Sequence, residues 1–211
     1  MSTKKNTAQK PQTTSSYRMR MLTTTAMLGA FAGVLMLIEF PLTFIAPSFY
    51  KLDLSEIPVM IGAFAFGPIQ GVVIELIKIL IHLIIKGTTT GFVGEIANFV
   101  IGCALVVPAG FIYRFRKTKK AAILGMAVST LFMAVVGVFM NAYVMIPLYS
   151  KFMPVEQIVA MGKSIFPVIS NVFTFCVFCV LPFNIIKGVL VSIVVAVIYK
   201  PLARIIHKGR P

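Results

Sequence analysis

Six runs of apolar residues, separated by short polar or proline-containing connections, account for most of this chain. A helix needs about 20 apolar residues to cross the hydrocarbon core of a bilayer, and fewer if it is enclosed by protein. Because hydrocarbon offers no hydrogen-bond partners, each run must pair its backbone groups internally, as a helix does. The sequence therefore predicts an all-α membrane protein, a bundle of six transmembrane helices. The runs span residues 21–38, 55–66, 69–86, 92–113, 121–148 and 182–206.

The composition supports a membrane protein and excludes a soluble domain. Of 211 residues, 58% are hydrophobic and 12% are charged, whereas a soluble domain carries about 25% charged residues. The net charge is +14, but the basic residues cluster outside the apolar runs without interleaved aromatics, so the partner is the lipid bilayer and not nucleic acid. We expect residues 1–20 to be a disordered cytoplasmic tail, 21–206 the membrane domain and 207–211 a second cytoplasmic tail.

The basic residues also predict the orientation of the bundle. The connection 114–120 contains five lysines and arginines, and both terminal segments are basic. An excess of Lys and Arg marks the cytoplasmic side, and six crossings bring both termini and this connection to that side. The connections 39–54, 87–91 and 149–180 then lie outside, and the last should contain helical pieces that dip back toward the bundle.

Two lysines interrupt apolar runs. Lys78 and Lys187 each sit within a predicted helix, where a charge costs about 3 kcal/mol or more unless it meets a partner, a cavity or a ligand. Glu75, Lys78 and His82 share one helix face, so Glu75 could neutralise Lys78 internally, and that alternative to ligand contact remains open. We interpret His82 as structural.

Polar side chains on several predicted helices fall at a similar depth. A helical rise of about 1.5 Å per residue assigns them to the outer third of the bundle, with Lys78 as a floor. The pattern indicates a cavity open to the outside. Amides also hydrogen-bond between helices, which is the alternative for Asn98 and Asn141, whereas the i, i+3 pair Asn184 and Lys187 favours ligand binding. The set at this depth is Glu56, Glu95, Asn98, Asn141, Asn184 and Lys187.

The first helix carries small residues at four-residue spacing. Ala26 with Ala30, and Gly29 with Gly33, would let another helix approach closely. They predict a docking surface for a second membrane subunit, and packing within this bundle is the alternative.

No catalytic, metal or cofactor site is predicted. The three cysteines, Cys103, Cys176 and Cys179, lie in apolar sequence, and no second Cys pair or His cluster completes a metal site. We interpret them as small buried hydrophobes.

Several short motifs in this order resemble those of the riboflavin-binding substrate subunits (S components) of energy-coupling factor (ECF) transporters. The resemblance covers about residues 22–204. The motifs are the small-residue first helix, Leu52-Asp53-Leu54-Ser55-Glu56-Ile57-Pro58, Phe66-Gly67-Pro68, Glu75-Leu76-Ile77-Lys78, Thr88-Thr89-Thr90-Gly91, Gly94-Glu95-Ile96-Ala97-Asn98-Phe99 and Asn184-Ile185-Ile186-Lys187-Gly188.

The resemblance implies a six-helix subunit of the bacterial plasma membrane that captures riboflavin from outside and performs no covalent chemistry. Its expected partners are a transmembrane coupling subunit (T component) and two cytoplasmic ATPases. The chain itself has no phosphate-binding loop motif, so a partner must supply the energy. Ala26 and Ala30 match the family's Ala-x-x-x-Ala contact with the coupling subunit.

The family's ring-binding positions match Asn141, Asn184 and Lys187. An amide offers a donor and an acceptor to the uracil-like edge of a flavin, and an ammonium offers donors only. Glu56, Lys78 and Thr43 are candidates for the ribityl hydroxyls, with Glu95 and Asn98 as weaker candidates.

Two alternatives remain at this point. An S component for thiamin or a pyridoxine-like vitamin would share the fold and differ at the edge-reading residues. An intramembrane enzyme acting on lipids would need Glu75, His82 and Glu95 as an acid–base set, although no metal or nucleophile motif joins them.

Overall fold

The computed structural model describes residues 14–88, 91–151 and 153–207, and these are mostly helical. A two-residue antiparallel ribbon, β1 (Phe40–Pro41) with β2 (Lys51–Leu52), closes the connection between the first two helices. Two π-helical turns, Asn141–Met145 and Cys176–Val180, each connect one α-helix directly to the next. The helices are α1 (Thr14–Leu37), α2 (Glu56–Phe66), α3 (Pro68–Lys86), α4 (Val93–Phe115), α5 (Lys119–Met140), α6 (Ile146–Tyr149), α7 (Val155–Lys163), α8 (Val172–Phe175) and α9 (Leu181–His207).

Within the described residues, five helical segments are long and apolar enough to cross a membrane. The 11-residue α2 is shorter, about half the thickness of a hydrocarbon core. It packs against α1, α3, α4 and α9, and most of its side chains are buried. The chain is therefore a multi-pass membrane protein. The five segments are Ser15–Leu37, Pro68–Lys86, Val93–Phe115, Lys119–Tyr149 and Val172–Ile198.

The two pairs of small residues lie on different faces of α1, and only one pair packs against α3. A Cβ on Gly29 would lie 2.5 Å from Cγ2 of Ile77, and one on Gly33 would lie 2.6 Å from Cγ2 of Ile81. Both glycines are buried, whereas Ala26 and Ala30 are exposed. Gly29 and Gly33 thus belong to packing within the bundle, and of the predicted docking surface only Ala26 and Ala30 face outward.

The last helical segment begins at Val172, ten residues before the predicted start at residue 182. Asn171 caps it, because the Asn171 Oδ1 accepts a hydrogen bond from Thr174 N at 2.8 Å and Thr174 Oγ1 accepts one from Asn171 N at 3.0 Å. Pro182 interrupts a regular helix because it lacks an N–H donor. Here the π turn Cys176–Val180 directly precedes it and allows the helix to continue.

The termini and connections differ from the sequence-based expectation in smaller ways. Helix α1 begins at Thr14, so the helix extends into the predicted tail 1–20. Residues 1–13 and 208–211 lie outside the described part of the chain. The connection between α6 and α8 contains α7, whose Ile158 and Gly162 are buried, in agreement with the expected helical piece.

Two apolar cores lie along the bundle. One includes Met60, Leu105 and Val191, and the other includes Phe175, Cys176 and Phe183. Along α9, Asn184 and Lys187 separate Phe183 of the second core from Val191 of the first. A layer of buried polar residues therefore lies between the two cores.

Candidate ligand site

Two adjoining cavities lie where α4 and α9 begin and α5 ends. The first compartment has a volume of about 130 Å³, and the second a volume of about 350 Å³. They share five lining residues, so they form one bipartite site. The shared residues are Phe49, Lys51, Gly94, Asn98 and Tyr149.

The first compartment brings two amides and one ammonium together against aromatic walls. Asn141, Asn184 and Lys187 all line it, although Asn141 and Lys187 are 46 positions apart in the chain. All three are buried. Its aromatic wall consists of Phe49, Tyr50, Tyr149 and Phe183.

Each asparagine is held by a hydrogen bond to its own helix. Asn141 Nδ2 donates to Gly137 O at 2.8 Å, and Asn184 Nδ2 donates to Val180 O at 3.0 Å. A Cβ on Gly137 would lie 2.5 Å from Asn184 Nδ2, so this glycine lets α5 and α9 approach at the site. The geometry fixes both amides without a ligand.

Tyr50 brings the connection 39–54 onto the first compartment. Its hydroxyl donates to Asn141 Oδ1 at 2.7 Å, and its ring lies 5.7 Å from that of Phe183. Burial raises the pKa of Tyr50 well above its usual value, so the hydroxyl keeps its proton and acts as a donor. Sequence reasoning missed this contact.

Lys187 is paired with carboxylates beneath the first compartment. Its Nζ lies 3.1 Å from Asp53 Oδ2 and 3.5 Å from Glu56 Oε1. Burial would raise the pKa of Asp53, but the Lys187 and Lys78 ammoniums and hydrogen bonds from Ser55 outweigh it and lower that pKa to about 2. Asp53 therefore stays ionised and holds Lys187 in place.

Lys78 lies deeper, in the same ionic cluster. Its Nζ is 2.6 Å from Glu75 Oε1, 2.8 Å from Glu56 Oε1 and 3.1 Å from Asn98 Oδ1. Lys78, Glu56 and Glu75 are all essentially inaccessible. The internal ion pair of Glu75 with Lys78 is thus formed. Neither Lys78 nor Glu56 lines either compartment.

The second compartment is lined mainly by charged and polar groups. Glu39 pairs with Lys51 at 2.6 Å and with Lys86. Burial would raise the pKa of Glu39, but hydrogen bonds from these two lysines outweigh it and lower the pKa, so Glu39 is ionised. Glu95 accepts a hydrogen bond from Thr88 Oγ1 at 3.1 Å. Asp53 and His82 complete the polar lining.

The predicted site residues divide into three groups. Asn98, Asn141, Asn184 and Lys187 line the first compartment, and Glu95 with Asn98 lines the second. Glu56 and Lys78 are buried behind the cavities. Thr43 is exposed in the connection 39–54 and lines neither compartment.

Sequence reasoning missed Glu39, Tyr50 and Asp53 and assigned His82 a structural role. Asp53 had a detectable signal, because an Asp two residues before Ser55 forms a local turn, here through Ser55 N to Asp53 Oδ1 at 2.9 Å. Glu39 and Tyr50 lie in a connection without periodicity, and no local pattern marks them.

The site is suited to noncovalent capture of a ligand with two dissimilar halves. A flat ring can lie against the aromatic walls of the first compartment, with its polar edge toward the amides and the Lys187 ammonium. The second compartment contains hydrogen-bond donors and acceptors, and its charged side chains are of both signs. Among the described residues, no group of three or more His, Cys, Asp or Glu is arranged to hold a metal ion.

The comparisons with known proteins agree with this architecture. The family model of the substrate-specific component of ECF transporters matches residues 20–199. A solved structure of the S component of a bacterial ECF transporter has a TM-score of 0.70 to this chain at 32% identity, covering 92% of this chain and 99% of the other. These matches confirm the family resemblance seen in the motifs.

Two curated relatives span nearly the same length. The riboflavin transporter RibU of Staphylococcus aureus (strain TCH60) is 32% identical over 187 residues, which cover 89% of this chain and 92% of the relative. The riboflavin transporter FmnP of Bacillus subtilis (strain 168) is 29% identical over 194 residues, which cover 92% of this chain and 97% of the relative. The chain therefore belongs to the substrate-specific components of ECF transporters, which are membrane transport proteins and not enzymes.

Proposed function

We propose that this chain binds riboflavin from outside the cell and mediates its uptake. The observation that carries the proposal is the convergence of Asn141, Asn184 and Lys187 in one aromatic-walled compartment. Relatives named riboflavin transporters cover most of the chain at about 30% identity, which supports the same substrate over thiamin or a pyridoxine-like vitamin.

The ring of riboflavin occupies the first compartment in this proposal. Its uracil-like edge alternates carbonyl acceptors with an N–H donor. Asn184 Oδ1 accepts no hydrogen bond from the described residues, so it is available to that N–H, and the Lys187 ammonium is available to a carbonyl. Burial of the ring against Phe49 and Phe183 supplies most of the binding free energy, and the polar groups set specificity.

The ribityl chain leaves the first compartment toward Asn98 and Glu95, which line the adjoining space. Glu56 and Lys78, predicted as direct contacts, act here as positioning residues, because Glu56 lies between Lys78 and Lys187. Contact of Thr43 with the ligand remains a prediction.

The transport cycle requires partners that this chain does not contain. We propose six crossings, with α2 as the short one and both termini in the cytoplasm. The basic connection 114–120 supports this orientation. The exposed Ala26 and Ala30 of α1 dock on the transmembrane coupling subunit, and two cytoplasmic ATPases drive uptake.

The test is a flavin-fluorescence titration of the purified protein, together with its absorbance spectrum. We expect riboflavin to bind, and Asn184→Ala and Lys187→Met each to weaken binding at least tenfold, because each removes a hydrogen bond to a buried polar edge. Lys163→Met, at an exposed lysine of α7, is the control and should bind as the unmodified chain does. Binding of thiamin or pyridoxine instead of riboflavin would overturn the proposal.

A further inference from the structure

His82 is a buried imidazole without a hydrogen-bond partner. Only 9% of the residue is exposed, and neither Nδ1 nor Nε2 forms a hydrogen bond within the described part of the chain. A buried polar group left unpaired costs about 1–3 kcal/mol. Because His82 lines the second compartment, a group that enters this cavity can supply the missing partner.

The groups that face His82 come from three elements. On its own helix α3, Lys78 lies one turn before it and Lys86 one turn after it. The connection 39–54 contributes Glu39 and Asp53, and α4 contributes Glu95. These neighbours are all charged side chains, whereas the neutral imidazole of His82 has both a donor and an acceptor to offer.

The charges of this compartment favour an uncharged ligand segment. Lys51 and Lys86 are both paired with Glu39, and Asp53 is paired with Lys187. A phosphate group carries about −1.5 to −2 charges, and it would meet Glu39 and Glu95 with no ammonium left unpaired by a carboxylate. A chain of hydroxyl groups, by contrast, donates to carboxylates and accepts from lysine and imidazole N–H groups without adding charge.

We propose that His82 is a specificity-determining contact for the neutral polyhydroxy chain of the ligand in the second compartment. The inference rests on the proposed function, since riboflavin joins such a chain to a flat ring. The ring occupies the first compartment, the chain passes Asn98 and Gly94, which line both compartments, and a hydroxyl pairs with the imidazole.

The experiment compares riboflavin with lumiflavin, which has the same ring and a methyl group in place of the polyol chain. His82→Leu should lower riboflavin affinity about five- to tenfold, as expected for loss of one hydrogen bond in a buried site, and leave lumiflavin affinity unchanged. His82→Gln, which retains a donor and an acceptor, should recover most of the riboflavin affinity. Asn184→Ala is the matched control and should weaken both flavins in parallel.

A measurement on the unsubstituted His82 keeps the test independent of folding. The chain contains two histidines, so His207→Gln leaves one imidazole whose ¹⁵N resonances can be followed. Riboflavin should shift these resonances, and lumiflavin should not. An equal loss of affinity for both flavins in His82→Leu, or imidazole resonances that do not shift when riboflavin is added, would overturn this role of His82. If neither flavin binds the unmodified protein, the proposed function itself fails.

Discussion

Lys187 and Lys78 are stabilised in the bundle by three carboxylates. Lys187 pairs with Asp53 and Glu56, while Lys78 pairs with Glu56 and Glu75. Loss of one partner from a buried pair costs about 3–5 kcal/mol, because the remaining charge is left uncompensated. The cluster thus fixes the depth of the Lys187 ammonium in the first compartment.

Asp53 should make the stability of the protein pH-dependent in acid. Its folded pKa of about 2 lies below the usual 3.8, so its stabilising effect is present above about pH 4 and is lost as the pH falls through 2. The difference in pKa corresponds to about 2 kcal/mol. We expect Asp53→Asn to unfold at a lower temperature than the unmodified protein at pH 6, and the gap to shrink at pH 3.

Thermal unfolding in detergent, measured for both proteins across this range, provides the check. Because other carboxylates titrate in both proteins, the difference between them is the relevant quantity. A gap that stays constant from pH 6 to pH 3 would contradict the assigned role of Asp53.

Residue-level prediction was possible where spacing within one helix carried the information. Asn184 and Lys187 are one turn apart, so their shared face could be read directly from the sequence. The partner of Lys187 could not, because Asp53 is 134 positions away. The role of His82 depends on which groups surround a cavity, and helical periodicity does not contain that information.

At the level of elements, two π turns lie next to the site, and each is followed by a proline. Asn141–Met145 precedes Pro147, and Cys176–Val180 precedes Pro182. A π turn widens a helix locally and is frequent at functional sites. Asn141 opens the first turn, and Asn184 lies in α9 four residues after the second, so each of these two amides of the first compartment lies in or close to a π turn.

Contact between α5 and α9 should set ligand affinity through Gly137. A Cβ at this position would overlap Asn184 Nδ2, so Gly137→Ala must displace the amide. We expect riboflavin affinity to fall at least tenfold in a fluorescence titration.

Gly125→Ala is the matched control on the same helix. Its Cβ would lie 3.1 Å from Ala109 O on α4, and Gly125 lines neither compartment. This variant should lower thermal stability with little change in affinity. Equal riboflavin affinities in Gly137→Ala and Gly125→Ala would contradict an effect of Gly137 on the ligand site.

The sequence located α2, α3 and α4 to within two residues, because Gly67-Pro68 and polar connections mark their ends. It placed the start of the last helical segment at residue 182, a proline, and proline is over-represented at the first position of a helix. The capping signal at Asn171 was the stronger marker. Propensity alone did not show that a π turn would carry the helix through Pro182.

At the level of the whole molecule, charge is distributed unequally between the two ends of the bundle. All six acidic residues lie between Glu39 and Glu156. Three of them, Glu39, Asp53 and Glu95, line the second compartment, and Glu56 and Glu75 belong to the buried ionic cluster. The connection 114–120, at the opposite end, contains five basic residues and no acidic one. One end therefore contains the candidate ligand site, and the basic connection at the other end supports the proposed cytoplasmic orientation.

Substitutions in the two pairs of small residues on α1 should affect riboflavin transport and riboflavin binding differently. Ala30→Leu adds bulk on an exposed face, so binding by the purified protein should be unchanged while riboflavin uptake by cells is largely lost. Gly33→Leu places its side chain against Ile81 and should lower thermal stability and affinity together.

Uptake of labelled riboflavin and titration of purified protein, made on both variants, distinguish the two roles. Retained uptake in Ala30→Leu would exclude this face as the docking surface. Normal stability in Gly33→Leu would contradict the close packing of α1 on α3.

Helix α3 connects α1 to the candidate ligand site. Ile77 and Ile81, on which Gly29 and Gly33 rest, immediately precede Lys78 and His82 in the chain. A rotation of α3 that accommodates a displacement of α1 must also move the Lys78 and His82 side chains, because these two residues and the two isoleucines belong to the same helix. Under the proposed docking of α1 on a coupling subunit, a displacement of α1 therefore reaches the candidate ligand site through α3 alone.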